Sequence, residues 1–124
     1  MLKKQITLLT AFFVIITIVG FMVKLPKVFG NYDKQLHFLF YFYASFIGCC
    51  FYANNKKINF LVIISCLLFF GFFIEYLQEY SNRFFKKRIH GSFDIQDIKY
   101  NFLGISLYSS IWICNYFLIS VRKK

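Results

Sequence analysis

Four apolar stretches, each long enough to cross a lipid bilayer, take up most of this 124-residue chain. They run over about residues 5–23, 36–53, 58–78 and 100–120. The hydrocarbon core is about 30 Å thick and needs about 20 helical residues to span it. A helix satisfies its own backbone hydrogen bonds in lipid, whereas an isolated strand does not. The pattern therefore predicts an all-α integral membrane protein, an antiparallel bundle of four transmembrane helices forming one domain over 1–124. The link Asn54-Asn55-Lys56-Lys57 is so short that the second and third spans must be antiparallel neighbours. The first span reads as a retained helix, not a signal peptide. Its apolar core is long, and Lys24, Pro26 and Lys27 separate it from the small-residue site at Val28-Phe29-Gly30.

Composition excludes the soluble classes. At 59% hydrophobic, a chain of this length has more apolar surface than a soluble core can hide. The net charge of +10 follows from fifteen basic and only five acidic residues. No basic stripe lies on a soluble scaffold, so nucleic acid is not an expected partner. Basic residues beside membrane spans set topology and touch anionic lipid. Seven of them lie at the two chain ends and in the short link, and eight lie in the other two connections. The seven are packed tightly against span ends, which predicts a multi-pass protein with both termini in the cytoplasm. The predicted loop over about residues 79–99 carries Arg83, Lys86, Lys87 and Arg88 around Phe84 and Phe85. It reads either as a headgroup-contacting amphipathic segment or as a solvated topology loop. Cys49, Cys50, Cys66 and Cys114 fall inside the spans and read as buried apolar thiols.

Three polar clusters interrupt the ends of these spans. Polar and ionisable groups at the rim of a hydrocarbon layer are costly and point to function. The first is Asp33-Lys34-x-x-His37, with Tyr41 one turn further on the same face. A carboxylate one turn from an imidazole can hold its tautomer, and Asp33 also suits the first turn of a helix as a dipole partner or cap. Lys34 can pair with it or reach for headgroups. The second is Glu75-x-x-Gln78, extended by Glu79 and Asn82. Glu75 is the deepest carboxylate, so burial penalises its ionised form unless a base such as Lys34, His37 or Arg83 stands beside it. The third is Asp97 with Asn101 and Gly104, preceded by Ser92 or Asp94 as the helix cap. Gly104 permits close approach of a neighbouring backbone. The up-and-down path brings all three clusters to one membrane face.

No cofactor motif is present: there is no phosphate loop, dinucleotide fingerprint or nucleophile elbow. Asp33, His37, Glu75, Asp97 and His90 contain metal-ligating groups, but no ligand motif links them, and no metal is expected.

In this order, Asp33-Lys34-Gln35-Leu36-His37-Phe38 with Tyr41, then Glu75-Tyr76-Leu77-Gln78, then Asp97-Ile98-Lys99-Tyr100-Asn101-Phe102-Leu103-Gly104 resemble the VanZ-like family of small bacterial membrane proteins. The resemblance covers about residues 30–110. Members usually carry an Arg shortly before the last motif, often where Gly91 stands here; Arg88 and Arg83 lie nearby. The resemblance implies a bacterial inner-membrane envelope protein and a link to tolerance of the glycopeptide teicoplanin. The expected partners are membrane lipids or a lipid-linked envelope component. In an enzymatic version His37, Glu75 and Asp97 are the catalytic candidates, with Asp33, Lys34, Tyr41, Gln78, Arg83, Arg88 and Asn101 binding or orienting. In the competing version the same groups form a non-catalytic hydrogen-bond network between helices.

Overall fold

A computed structural model describes residues 2–22, 32–84 and 93–123. Arg88, His90, Gly91 and Ser92 lie outside the described residues. The described chain is all-helical: α1 (Leu2–Met22), α2 (Asp33–Gly48) continuing into a π-helical turn (Cys49–Ala53), α3 (Lys57–Phe84) and α4 (Ile95–Arg122). All four helices are long and apolar enough to cross a membrane. Their outward faces carry large apolar side chains such as Leu61, Phe69, Phe72, Phe102 and Phe117. An exposed apolar surface of this extent needs a non-aqueous neighbour.

The turn between α2 and α3 is set by its sequence. Asn54 and Asn55 both take left-handed backbone conformations, with φ of 48° and 55°. Asparagine tolerates this region better than other side chains with a Cβ. Asn59 Nδ2 then donates to the carbonyls of Tyr52 and Ala53 at 3.2 and 3.3 Å, satisfying groups left open at the helix end.

Helix ends depart from the hydropathy boundaries. α3 continues past Gln78 to Phe84, and α4 begins at Ile95, so both described ends of the loop expected over 79–99 are helical. Hydropathy marks where lipid would end, not where the helix must end. Arg83 Nε donates to Glu79 Oε1 at 3.2 Å across one turn and supports the polar extension. Asp94 is the N-cap of α4, its Oδ1 accepting from the Gln96 N–H at 2.8 Å. Asp33 sits in the first turn of α2, but Tyr32 occupies the cap position and no side-chain cap bond forms there.

The helices meet in a consistent register. His37, Phe42 and Phe46 of α2 face Asn101 and Tyr108 of α4, so partner numbers rise together. Gly104 is pressed against the Phe38–Phe42 backbone at this crossing. Along α3 the order reverses: Phe60 stacks on Trp112 with centroids 4.1 Å apart, Gly71 faces Asn101, and Glu75 reaches Asp94. Cys49, Ala53, Phe60 and Tyr108 form an apolar core at the end remote from Asp94. α1 is mostly exposed and touches the rest lightly, through the stacked rings of Phe13 and Phe40 among other contacts.

The thiols correct the sequence reading. Only Cys49 is buried; Cys50, Cys66 and Cys114 are exposed, and all four are free. A span has an outward face as wide as its inward one, and apolarity alone does not say which face a thiol takes.

Candidate functional site

The polar residues of α2, α3 and α4 turn inward at one end of the bundle. His37, Tyr41 and Ser45 are buried on α2, Glu75 and Gln78 on α3, and Asp97 and Asn101 on α4. Each set repeats at three- or four-residue spacing, which places it on a single helix face. The outer faces at the same level are apolar, with Leu39, Phe72, Phe73 and Phe102 exposed. Apolar outside and polar inside suits a helix bundle in lipid.

The centre is a buried hydrogen bond, 2.8 Å from His37 Nδ1 to Asn101 Oδ1. An amide oxygen only accepts, so Nδ1 carries the hydrogen. This orients the ring and turns Nε2 toward two carboxylates. Asp33 Oδ1 lies 3.8 Å from Nε2 and Asp97 Oδ2 lies 3.9 Å from it. Asp33 is half-exposed at the helix end, whereas Asp97 is buried. Asp97 Oδ1 has no hydrogen-bond partner among the described residues.

Glu75 is wholly buried. Its Oε2 accepts from the Asp94 N–H at 3.3 Å, tying α3 to the start of α4. Its Oε1 has no hydrogen-bond partner among the described residues. Asp97, Asp33 and Asp94 all stand within electrostatic range of it. Lys34, considered from the sequence as its partner, instead donates to Gln96 Oε1 across the α2–α4 gap. Arg83 lies on the outer surface, paired with Glu79. Glu79 Oε2 in turn accepts from the Phe93 N–H at 3.4 Å. All five acids of the chain, Asp33, Glu75, Glu79, Asp94 and Asp97, therefore gather at one end of a protein whose net charge is +10.

Two features were not read from the sequence. Gly71 interrupts a run of phenylalanines, and a Cβ there would stand 3.1 Å from Asn101 Nδ2 and 3.3 Å from the Tyr41 hydroxyl. A lone glycine within an apolar helix was the available signal. Gln96 anchors Lys34, which nothing in the sequence marks. The polar clusters expected at one membrane face come together at Asp33, His37 and Asp97, whose ligating atoms all lie within 4.8 Å of one another. The donors come from two helices, so no local spacing shows them.

Grooves open on the bundle surface among the described residues. One, of about 410 Å³, lies between α3 and α4 beside Gly71, Phe72, Lys99 and Asn101, next to the polar cluster. A larger cleft of about 620 Å³ lies between α1, α2 and α3, lined by Phe13, Thr17, Ala44 and Phe70 among others. It belongs to the apolar half and does not reach the carboxylates. Comparison with known proteins found no matching family model, no matching curated protein and no matching solved structure.

Proposed function

We propose that this chain is a bacterial inner-membrane envelope protein of VanZ-like type, an antiparallel bundle of four transmembrane helices. Both termini lie in the cytoplasm. The polar cluster then sits at the outer membrane face and binds or acts on a lipid or a lipid-linked cell-wall component. The observation carrying this reading is the gathering of His37, Glu75, Asp97 and Asn101 inside one end of a bundle that is apolar outside. A groove beside Asn101 offers room for a hydrocarbon chain at that level. His37 and Glu75 are the proton-exchanging groups. Asp97 and Asn101 orient them, and Lys34 or an Arg, Arg83 or Arg88, holds an anionic headgroup. A link to teicoplanin tolerance belongs to the same reading through the family resemblance.

A structural reading has its own support in the buried His37–Asn101 bond, since polar contacts of this kind hold membrane helices together. Glu75→Gln separates the two. It removes the charge and keeps the shape and the Oε position that accepts from Asp94. If the site is catalytic, Glu75→Gln protein will accumulate at wild-type level and fail to restore the lipid and wall-precursor profile of cells lacking the protein. Joint loss of protein and profile identifies the structural network. A wild-type profile removes Glu75 from the chemistry.

Topology is tested by cysteine labelling after replacement of the four native thiols. A cysteine at Asn82 will label from outside the cell, and one at Asn55 only after permeabilisation. The reverse pattern inverts the bundle. Labelling of both from one side would refute the span assignment, since α3 separates the two positions.

A further inference from the structure

We propose that Asp33, His37 and Asp97 bind a divalent transition-metal cation of the Zn²⁺ or Mn²⁺ class. The donor set is one imidazole nitrogen and two carboxylates, which suits such ions better than Mg²⁺ or Ca²⁺, whose ligands are oxygen alone. The ligating atoms are presented in the required way. Nδ1 of His37 is committed to Asn101 Oδ1, so Nε2 points at Asp33 Oδ1 and Asp97 Oδ2. A ligating histidine whose other nitrogen donates to an oxygen is the usual arrangement at protein metal centres.

Distances agree with this. Metal–nitrogen and metal–oxygen bonds of about 2.0–2.2 Å place tetrahedral neighbours roughly 3.4 Å apart. The gaps of 3.8 and 3.9 Å close on the ion with a movement of about half an ångström at each ligand. Asp33 is half-exposed and can make that movement, and it opens the site to ions from the helix end.

Two further observations point to a cation. Asp97 Oδ1 and Glu75 Oε1 are both buried without a hydrogen-bond partner among the described residues, and Glu75 lies within electrostatic range of Asp97 and Asp33. Carboxyl oxygens left in this way are costly when ionised. Two described basic groups near this end have other partners: Arg83 pairs with Glu79, and Lys34, although within electrostatic range of Asp97, bonds to Gln96. A divalent ion between Asp33 and Asp97 supplies positive charge beside the buried Asp97 carboxyl.

Metal binding stands without the lipid reading, and with Nε2 on the ion and Nδ1 on Asn101, His37 orients the ion and leaves proton exchange to Glu75. One consequence does rest on that reading: a bound cation would let an acidic corner hold a phosphate-bearing headgroup that its carboxylates alone would repel.

The test is metal retention by purified full-length protein in detergent. Wild type, Asp33→Asn, Asn101→Leu and Glu79→Gln are loaded with Zn²⁺ or Mn²⁺ alone, dialysed, and assayed by elemental mass spectrometry and thermal unfolding. Wild type and Glu79→Gln will each retain about one ion per chain and be stabilised by it, as expected for a ligand that binds the folded state. Asp33→Asn will lose both retention and the thermal shift. Asn101→Leu, which frees the histidine ring, will weaken binding about 10- to 100-fold. Asp33 is the chosen ligand variant because its half-exposed side chain can be changed without leaving a buried polar group. The four thiols are the same in every variant, so zinc held by cysteine appears equally in all. Retention in Asp33→Asn equal to wild type overturns the proposal, as does no retention by wild type or equal loss in Glu79→Gln.

Discussion

Gly104→Ala will lose folded protein in detergent, while Gly20→Ala, in a helix of the same bundle, will not. A Cβ on Gly104 would stand 2.4 Å from the Phe38 carbonyl oxygen and 3.1 Å from the Phe42 nitrogen. These are backbone atoms, so no side chain can swing aside and α2 and α4 must separate. Overpacking of this kind costs about 1–3 kcal/mol. The gain in helix propensity on replacing glycine by alanine is about 0.8–1.0 kcal/mol, and it applies at both positions. At Gly20 nothing lies within 4 Å of the added carbon, so the gain stands unopposed. At Gly104 the overlap outweighs it. The damage also spreads, because α2 and α4 share the most extensive contact among the described helices and the His37–Asn101 bond lies one turn away. Gly104→Val, with its branched carbon, will remove the monodisperse species altogether. The measurement is the fraction surviving heating on a sizing column. Equal survival of Gly104→Ala and Gly20→Ala would show that the close crossing does not exist.

The legibility of this molecule follows the range of the forces involved. Apolar runs were readable as helices because burial in lipid acts on every residue of a span. The polar stripes were readable because helical periodicity puts Asp33 beside His37 and Asp97 beside Asn101 on single faces. Ser92 and Asp94 were both readable as the cap before the last span, and Asp94 fills that place. Helix ends were less readable: α3 runs on to Phe84 through Glu79 and Arg83 because an i,i+4 ion pair and backbone hydrogen bonds sustain a helix beyond its apolar part. The cysteines were misread because facing is decided by neighbouring helices, not by apolarity. Contacts between helices were hidden most deeply. Lys34 has carboxylates at Asp33 and Asp97 to choose from, yet it bonds to Gln96, and only the separation of α2 and α4 decides that. The gathering of Asp33, His37 and Asp97 was legible only as a shared membrane face. Asp33 and His37 share a turn, but Asp97 joins them only because Gly104 lets α2 and α4 approach.

The His37–Asn101 bond will prove to be a coupled pair. It is buried, 2.8 Å long, and joins helices 64 residues apart in sequence. Asn101→Leu leaves the His37 Nδ1–H without its acceptor, and an orphaned buried donor costs about 1–3 kcal/mol. His37→Leu orphans the amide oxygen in the same way and also removes the imidazole from between Asp33 and Asp97. The second effect is present in the double variant as well, so it cancels from the coupling. His37→Leu/Asn101→Leu replaces both partners by apolar groups and leaves neither orphan. Its cost will therefore fall below the sum of the two singles. Couplings of contacting pairs run from about 0.5 to 3 kcal/mol, and those between membrane helices average about 0.6 kcal/mol. This pair should exceed that average, since both groups are nearly inaccessible and His37 Nδ1 is held on the amide oxygen. The readout is unfolding of the four proteins in one detergent, followed by helical circular dichroism. Distant, independent sites add within about 0.3–0.5 kcal/mol. Additivity within that margin would mean that His37 and Asn101 do not share a bond, and the orientation of Nε2 toward the two carboxylates would lose its support.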